Sequence, residues 1–465
     1  MILSKLKAPN TFLIISMIIV LIAIMTWIVP SGEFDTTEKN GRTVVVNGTY
    51  HAVEKNPQGI GAVLTAPING FIDAAAIIGF VLIVGGAFGV FQKTEAVDAG
   101  IKSIAKTYKS SALVRKTLIP LFMILFSLAG AVFGMSEEVI PFVLFFVPMA
   151  LMLGYDSITG VAIPFVGAGA GFAGAFINPF TLGIAQGIAE LPTLSGIEYR
   201  IIVWLLTTTV AIIFVKRYAE KIKLNPEKSI VYKLDQEKRK ELHTDELDKF
   251  EGLDSHHKRV LWVFLSGLAV LVFGVLEYQW FIKEICAVFV VTGIAVGIVG
   301  KLTVNEITDS FISGAKQLIS TALIIALARG IFIVANDGKI VDTILYALSG
   351  IIEDFHPVVS SQAMFLVQSV LNFFVPSGSG QAALTMPIMA PLSDLVGVSR
   401  QTAVLAFQFG DGFTNLIIPT SAVTMGVLSL AGIPWEKWAR WMLPLQLIFI
   451  LVGLLLLIPP FFFSW

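Results

Sequence analysis

Residues 372–387 read Asn372-Phe-Phe-Val-Pro-Ser-Gly-Ser-Gly-Gln-Ala-Ala-Leu-Thr-Met-Pro387. They join apolar runs at 361–375 and 383–396, each shorter than the roughly 20 helical residues that span a bilayer core. Two short helical legs meeting at Pro376-Ser-Gly-Ser-Gly-Gln381 predict a re-entrant hairpin, because irregular backbone at membrane depth survives only where protein or water surrounds it. The runs 117–133 and 139–153 around Gly134-Met-Ser-Glu-Glu138 predict a second one. Interrupted apolar segments in matching halves point to a transporter's binding site.

Adding 243 to the residue number lays the first hairpin on the second. Ser136 falls on Ser379, Pro148 on Pro391, Gly154 on Gly397, Thr159 on Thr402, Val161 on Val404, Gly167 on Gly410 and Gly169 on Gly412. These identities in one ungapped stretch predict an internal repeat. Full spans at 157–177, 199–215, 260–277, 282–300 and 317–335 lie between its equivalent points, and an odd number of crossings turns the second copy over. The expected fold is an all-α polytopic membrane protein of inverted repeats, each with a re-entrant hairpin and a broken transmembrane helix.

Composition narrows the function. The chain has 465 residues, 55% of them hydrophobic and 14% charged, and its mean hydropathy is +0.82. Soluble proteins carry about 25% charged residues. A net charge of −1 leaves no basic field for nucleic acid, and the single Cys286, in an apolar run, reads as a packing residue. The first apolar run, 12–29, lacks a small-residue cleavage site and reads as a retained span. With the N-terminus in the cytoplasm, 24 of the 32 Lys and Arg residues, beginning with Lys5 and Lys7, fall on the inner side. The outer side receives Lys39, Arg42, Lys55, Arg200, Lys283, Lys339 and Arg400, and Arg329 is left inside a span. That asymmetry fits the positive-inside rule. Residues 216–259 read as a solvated cytoplasmic linker with a surface helix near 234–242 and no chemistry.

Glu137 and Glu138 stand at the first hairpin tip, beside Ser136. Carboxylates there can simply cap a helix, but near the midplane they are costly and commonly meet a cation, a proton or a substrate. Ser377, Gly378, Ser379, Gly380 and Gln381 form a tip that offers backbone N–H and C=O groups to a ligand, or merely a tight turn. Beyond the hairpins, Gly167-Ala-Gly-Ala-Gly171 leads to Asn178, Pro179 and Thr181, and Gly410-Asp411-Gly412 leads to Asn415, Pro419 and Thr420. Proline frees a carbonyl, so oxygens near Asn178, Thr181, Asn415 and Thr420 are candidate donors to Na⁺ or to a substrate's polar head, and Asn178, Asp411, Asn415 and Thr420 are candidate substrate ligands. The alternative is helix packing through small residues. Arg329 would pair with Glu137, Glu138 or Asp411, or hold a substrate carboxylate. Asp337 reads as an external turn. His51, His243, His256, His257 and His356 fall in expected loops without metal spacing, and no nucleotide-phosphate loop is present. No cofactor is expected beyond coupling to Na⁺ or H⁺.

The 372–387 stretch, Gln408-Phe-Gly-Asp-Gly-Phe-Thr-Asn415 and Ile418-Pro-Thr-Ser421 resemble the YfcC-type carriers of the C4-dicarboxylate anaerobic carrier group, relatives of the arginine/ornithine antiporters. Glu137-Glu138 and Asn178-Pro179 extend the likeness over nearly the whole chain. The resemblance implies the ion transporter architecture: a homodimeric scaffold and a transport domain holding both hairpins and moving as an elevator. The segments would be first-repeat scaffold helices (1–116), a transport region (117–198, hairpin 117–153, broken helix 157–185), a scaffold helix (199–215) and the linker (216–259). Second-repeat scaffold helices (260–335), a transport region (336–435, hairpin 361–396, broken helix 401–428) and a C-terminal helix (436–465) would follow.

The group's name points to dicarboxylates, and its YfcC-type branch to basic amino acids. Arg329 alone against Glu137, Glu138 and Asp411 favours a zwitterionic or cationic amino acid, with the hairpin-tip N–H groups on its α-carboxylate. The expected function is a secondary active antiporter of arginine, ornithine or lysine type in a bacterial cytoplasmic membrane. The alternative is Na⁺- or H⁺-coupled uptake of C4-dicarboxylates, short-chain carboxylates or peptides. Two occluding hairpins disfavour a passive channel, and the lack of a Ser/base or paired-His motif disfavours an enzyme.

Overall fold

The computed structural model describes residues 11–39, 42–240, 250, 252–352, 355–463 and 465. Lys5, Lys7, His243 and the end of the expected 234–242 helix lie outside the described residues. The first described element is α1 (Thr11–Ile28), and two small antiparallel strand pairs follow: β1 (Gly32–Glu33), β2 (Thr36–Lys39), β3 (Arg42–Val45) and β4 (His51–Ala52), with Gly32 opposite Ala52 and Thr36 opposite Val45. The first half continues with α2 (Ile60–Asp73), α3 (Ala75–Lys93), α4 (Ala96–Ser110), α5 (Ala112–Phe133), α6 (Val143–Met152), α7 (Ser157–Ala173), α8 (Leu182–Ile188) and α9 (Ile197–Leu224). After α10 (Tyr232–Lys240) come α11 (Ser255–Tyr278), α12 (Ile282–Val299), α13 (Val304–Gln317), α14 (Ile319–Asp337) and α15 (Val341–Gly350). The chain then forms α16 (Pro357–Phe374), α17 (Gly378–Leu395), α18 (Arg400–Thr414), α19 (Ala422–Ala431) and α20 (Trp435–Leu456). Eight helices among the described residues are long and apolar enough to cross a bilayer, and the protein is an all-α polytopic membrane protein.

The offset of 243 extends beyond the hairpins. It carries α2 onto 303–316, against α13 at 304–317, and α3 onto 318–336, against α14 at 319–337. It also carries α7 onto 400–416, against α18 at 400–414. Packing follows the same correspondence. A Cβ on Gly70 of α2 would collide with Ala326 O and sit 2.6 Å from Gly330 N of α14. One on Gly314 of α13 would collide with Gly85 O and sit 2.8 Å from Gly89 Cα of α3. Each pair thus crosses through small residues that let backbones touch, the usual way apolar helices gain contact in lipid. Subtracting 243 from α12 instead lands on 39–56, in the strand region, so this helix has no helical counterpart at that offset among the described residues.

The helix starts repeat as well. Asp156 caps α7 by accepting the Thr159 N–H at 2.9 Å, and Ser399, 243 residues later, caps α18 by accepting that of Thr402 at 3.2 Å. Asp156 also accepts from the Tyr218 hydroxyl at 2.6 Å and the Ser229 hydroxyl at 2.7 Å. Asp156→Ala is expected to lower stability by about 1 kcal/mol through the lost cap, read as a reduced Tm in detergent.

The linker departs from expectation. Residues 216–224 continue α9, and α10 is docked rather than solvated. Asp235 is buried and accepts both the Ser157 N–H, at 2.8 Å, and the Ser157 hydroxyl. Lys238 Nζ donates to Ala431 O at 2.6 Å, and Arg239 donates to Leu151 O at 2.7 Å and to Tyr155 O. An acid therefore sits at the start of α7, and bases sit at the ends of α6 and α19, where unpaired N–H and C=O groups and the helix dipoles want them. His256 and His257 stand in the first turn of α11, not in a loop.

Candidate functional site

Two helices stop where they meet. α7 ends at Ala173 and α18 at Thr414, and a Cβ on Gly412 would lie 2.5 Å from Ala173 Cα. Residues 174–181 and 415–421 then run without helix to α8 and α19, past Pro179 and Pro419, so backbone and side-chain polar groups gather at the crossing.

The side chains there are buried amides and one acid. Gln408 Nε2 donates to Phe172 O at 2.8 Å and to Thr181 Oγ1 at 3.0 Å. Asn415 Nδ2 donates to Asp411 Oδ1 at 2.7 Å, and Asn372 Nδ2 donates to Thr414 Oγ1 at 2.7 Å and Asp411 O at 3.2 Å. Gln381 Nε2 donates to Gln368 O and Oε1. Each of these amides faces at least one carbonyl or carboxylate oxygen, which only an N–H can satisfy, so its orientation is fixed. Their other ends are bare. Asn372 Oδ1, Gln381 Oε1, Gln408 Oε1, Asp411 Oδ2 and Asn415 Oδ1 are buried acceptors without a hydrogen-bond partner. Buried polar atoms are normally paired, so this group of acceptors asks for donors from elsewhere. One nearby donor, Asn178 Nδ2, is also unpartnered, as is the hydroxyl of Thr420.

Asn178 behaves differently from its expected role as an oxygen ligand. Its Oδ1 accepts the N–H groups of Phe180, at 2.9 Å, and Thr181, at 3.3 Å, which uses both lone pairs and leaves a buried N–H₂ without a partner. The Thr181 hydroxyl is taken by Gln408. Asn415 and Thr420 keep free oxygens.

The second hairpin tip closes on this group. Ser377 caps α17 by accepting the Gly380 N–H at 3.3 Å, which puts Gly378 in the first helical position. A Cβ on Gly378 would run into Thr181 Cγ2 and lie 2.7 Å from Asp411 Oδ2, so only glycine lets the helix start reach the acid. Ser379 and Gly380 do not join the site. They line an outer cavity of about 540 Å³ with Pro179, Phe180 and Phe281.

The first tip divides its residues. α5 ends at Gly134, whose φ of +71° is left-handed and whose α-carbon faces the Asn178 amide, and a 3-10 turn runs over Glu137–Phe142. Ser136 lines a cleft of about 30 Å³ with Phe172, Gly412 and Asn415. Glu137 lies within electrostatic reach of Asp411. Glu138 folds back to accept the Ser136 N–H at 3.0 Å and faces a separate, phenylalanine-lined cavity.

Arg329 is not part of the site. Its guanidinium pairs with Asp73 of α2 and lies over the Phe332 ring, 4.5 Å from the centroid. The expected pairing with Glu137, Glu138 or Asp411 is corrected by that partner, which sits 256 positions away in sequence. Arg200, counted as an outer-loop charge, is instead wholly buried in the first turn of α9, with Nη2 donating to Gln401 Oε1 at 3.3 Å and the guanidinium 5.4 Å from the Trp465 ring centroid. Sequence reading also passed over Gln408 and Asn372 as ligands. Their signal was present, since each is an amide inside an apolar run.

Known proteins resemble the chain along its length. The family described as C4-dicarboxylate anaerobic carrier matches residues 8–460. The Escherichia coli protein named "Putative basic amino acid antiporter YfcC" is 38% identical, over 93% of this chain and 92% of its own. An uncharacterized protein of Haemophilus influenzae is 28% identical, over 97% and 96% of the two chains. A looser structural likeness joins the chain to the YdaH transporter of Alcanivorax borkumensis, at 16% identity, a TM-score of 0.45 and coverage of 98% and 99%.

Proposed function

The chain belongs to the C4-dicarboxylate anaerobic carrier family, and from that premise we propose that this secondary transporter exchanges basic amino acids across a bacterial cytoplasmic membrane. One observation carries the reading: at the crossing of α7 and α18, Asp411 Oδ2 and the amide oxygens of Asn415, Asn372 and Gln408 are unpartnered acceptors, with Glu137 within electrostatic reach and no Lys or Arg among the side chains described there. Such a surface accepts a guanidinium or ammonium group. A dicarboxylate would bring two more negative charges to two carboxylates, with Arg329 engaged elsewhere.

Asp411, Glu137, Asn415, Gln408, Asn372 and Gln381 are the proposed ligands of the cationic side chain. The start of α17 at Gly378 and the free Asn178 N–H₂ supply donors for the α-carboxylate. Ser136, in the small cleft, lies where the two ends would meet. A cleft of about 30 Å³ admits about one water molecule, so an amino acid enters only when the hairpin tips part, as alternating access requires. We assign that motion to the two transport regions, 117–198 and 336–435, against the remaining helices of a homodimeric scaffold.

Counterflow tests the exchange. Proteoliposomes preloaded with unlabelled arginine should accelerate entry of labelled arginine, with ornithine and lysine blocking it and succinate not, in the presence or absence of Na⁺. Absence of acceleration would reject antiport, and acceleration by preloaded succinate would move the substrate to the dicarboxylates. Arg329→Met should lower Tm by leaving Asp73 unpaired, while the apparent affinity for arginine stays unchanged; a weakened affinity would return Arg329 to the site.

A further inference from the structure

On the far side of the first hairpin tip, away from Asp411, lies a second cavity of about 510 Å³. It is walled by the first hairpin on one side and by α3, α11 and α12 on the other. Its aromatic frame is continuous: Phe88 meets Phe264 edge-on at 5.5 Å and Phe142 at 6.1 Å, and Phe126 meets Phe142 at 5.1 Å. Leu125 and Leu265 belong to the wall and are about half exposed on the apolar flank, which opens the cavity toward the lipid phase. Among its lining residues one side chain is ionisable. That is Glu138, which reaches the wall while its Oε2 accepts the Ser136 N–H.

A hydrocarbon chain would be content with the rings alone and would gain nothing from a carboxylate, which is expensive at membrane depth. Phenylalanine faces attract cations as well as apolar surface, and a carboxylate among them adds charge complementarity without a competing Lys or Arg on the wall. We propose that this cavity is a binding site for an apolar organic cation, an aryl- or alkyl-substituted onium or ammonium ion that enters from the bilayer and places its charge against Glu138. The site is separate from the one around Asp411 and does not rest on the basic amino acid reading.

Tetraphenylphosphonium is the probe, and its shape-matched anion tetraphenylborate is the control. Radiolabelled tetraphenylphosphonium should bind the full chain in nanodiscs saturably, and Glu138→Gln, which keeps the shape of the side chain, should weaken it by about tenfold. Tetraphenylborate should compete poorly. Leu268→Trp, which fills the cavity from α11, should abolish binding in a protein that remains monodisperse and keeps the wild-type Tm. Equal affinity in Glu138→Gln, equal competition by the anion, or binding that survives Leu268→Trp would each overturn the proposal and leave a hydrocarbon-filled gap between helices.

Discussion

Asp411→Asn is expected to weaken arginine binding by about a hundredfold or more, the scale of removing one partner from a buried charge pair. The substitution keeps the local scaffold. An asparagine Oδ1 still accepts the Asn415 N–H₂, now 2.7 Å from Asp411 Oδ1, and the backbone carbonyl that takes Asn372 is untouched. What disappears is the charge on the unpartnered oxygen beside Gly378. Folding should therefore persist, with a Tm near that of the wild type. Citrulline, the uncharged counterpart of arginine, separates charge from shape. The wild type should prefer arginine over citrulline strongly, and Asp411→Asn should lose most of that preference. A variant that fails to fold would make Asp411 a structural residue, and an unchanged preference would remove it from the cation's surroundings.

Gly378→Ala is expected to cut transport by about ten- to a hundredfold, corresponding to the 1–3 kcal/mol that overpacking commonly costs. The new methyl would meet Thr181 Cγ2 and Asp411 Oδ2 at once, so either the α17 start withdraws or the acid turns away. Thr181→Ser removes the first of those atoms and keeps the hydroxyl that Gln408 uses. The double variant should recover part of the lost rate. Full activity in Gly378→Ala alone would mean that the tip never closes on Asp411 during the cycle.

The two Gly/Ser tips were legible as breaks between apolar runs, but the expected short first legs at 117–133 and 361–375 are instead α5, of 22 residues, and α16, of 18, both long enough to cross a bilayer. The 243-residue offset followed from residues that punctuate helices, such as Gly154 with Gly397. The same offset was silent for α2 and α13. Their sequences mix Thr65, Pro67 and Asn69, or Asn305, Glu306 and Asp309, with apolar residues and so do not read as continuous apolar runs. Tertiary pairing was out of reach. Nothing local marks Asp73 as the partner of Arg329, or tells that Arg200 is buried under Trp465. Charge counting also treated the linker as solvated, although Asp235, Lys238 and Arg239 are committed to the ends of three helices. At the site, Asp411, Asn415 and Gly378 could be picked out as polar or flexible residues in apolar surroundings. Whether the oxygen or the N–H₂ of each amide stays free depends on partners such as Phe172 O and Gln368 O, fixed only by the fold.

Equilibrium binding of labelled arginine to the purified protein, by scintillation proximity with ornithine, lysine, citrulline and succinate as competitors, reads the chemistry of the crossing without depending on the transport cycle. Displacement by ornithine and lysine, weak displacement by citrulline and none by succinate is the predicted result. Displacement by succinate together with equal displacement by citrulline would contradict it, and would mean that the free oxygens around Asp411 do not receive the substrate's positive charge.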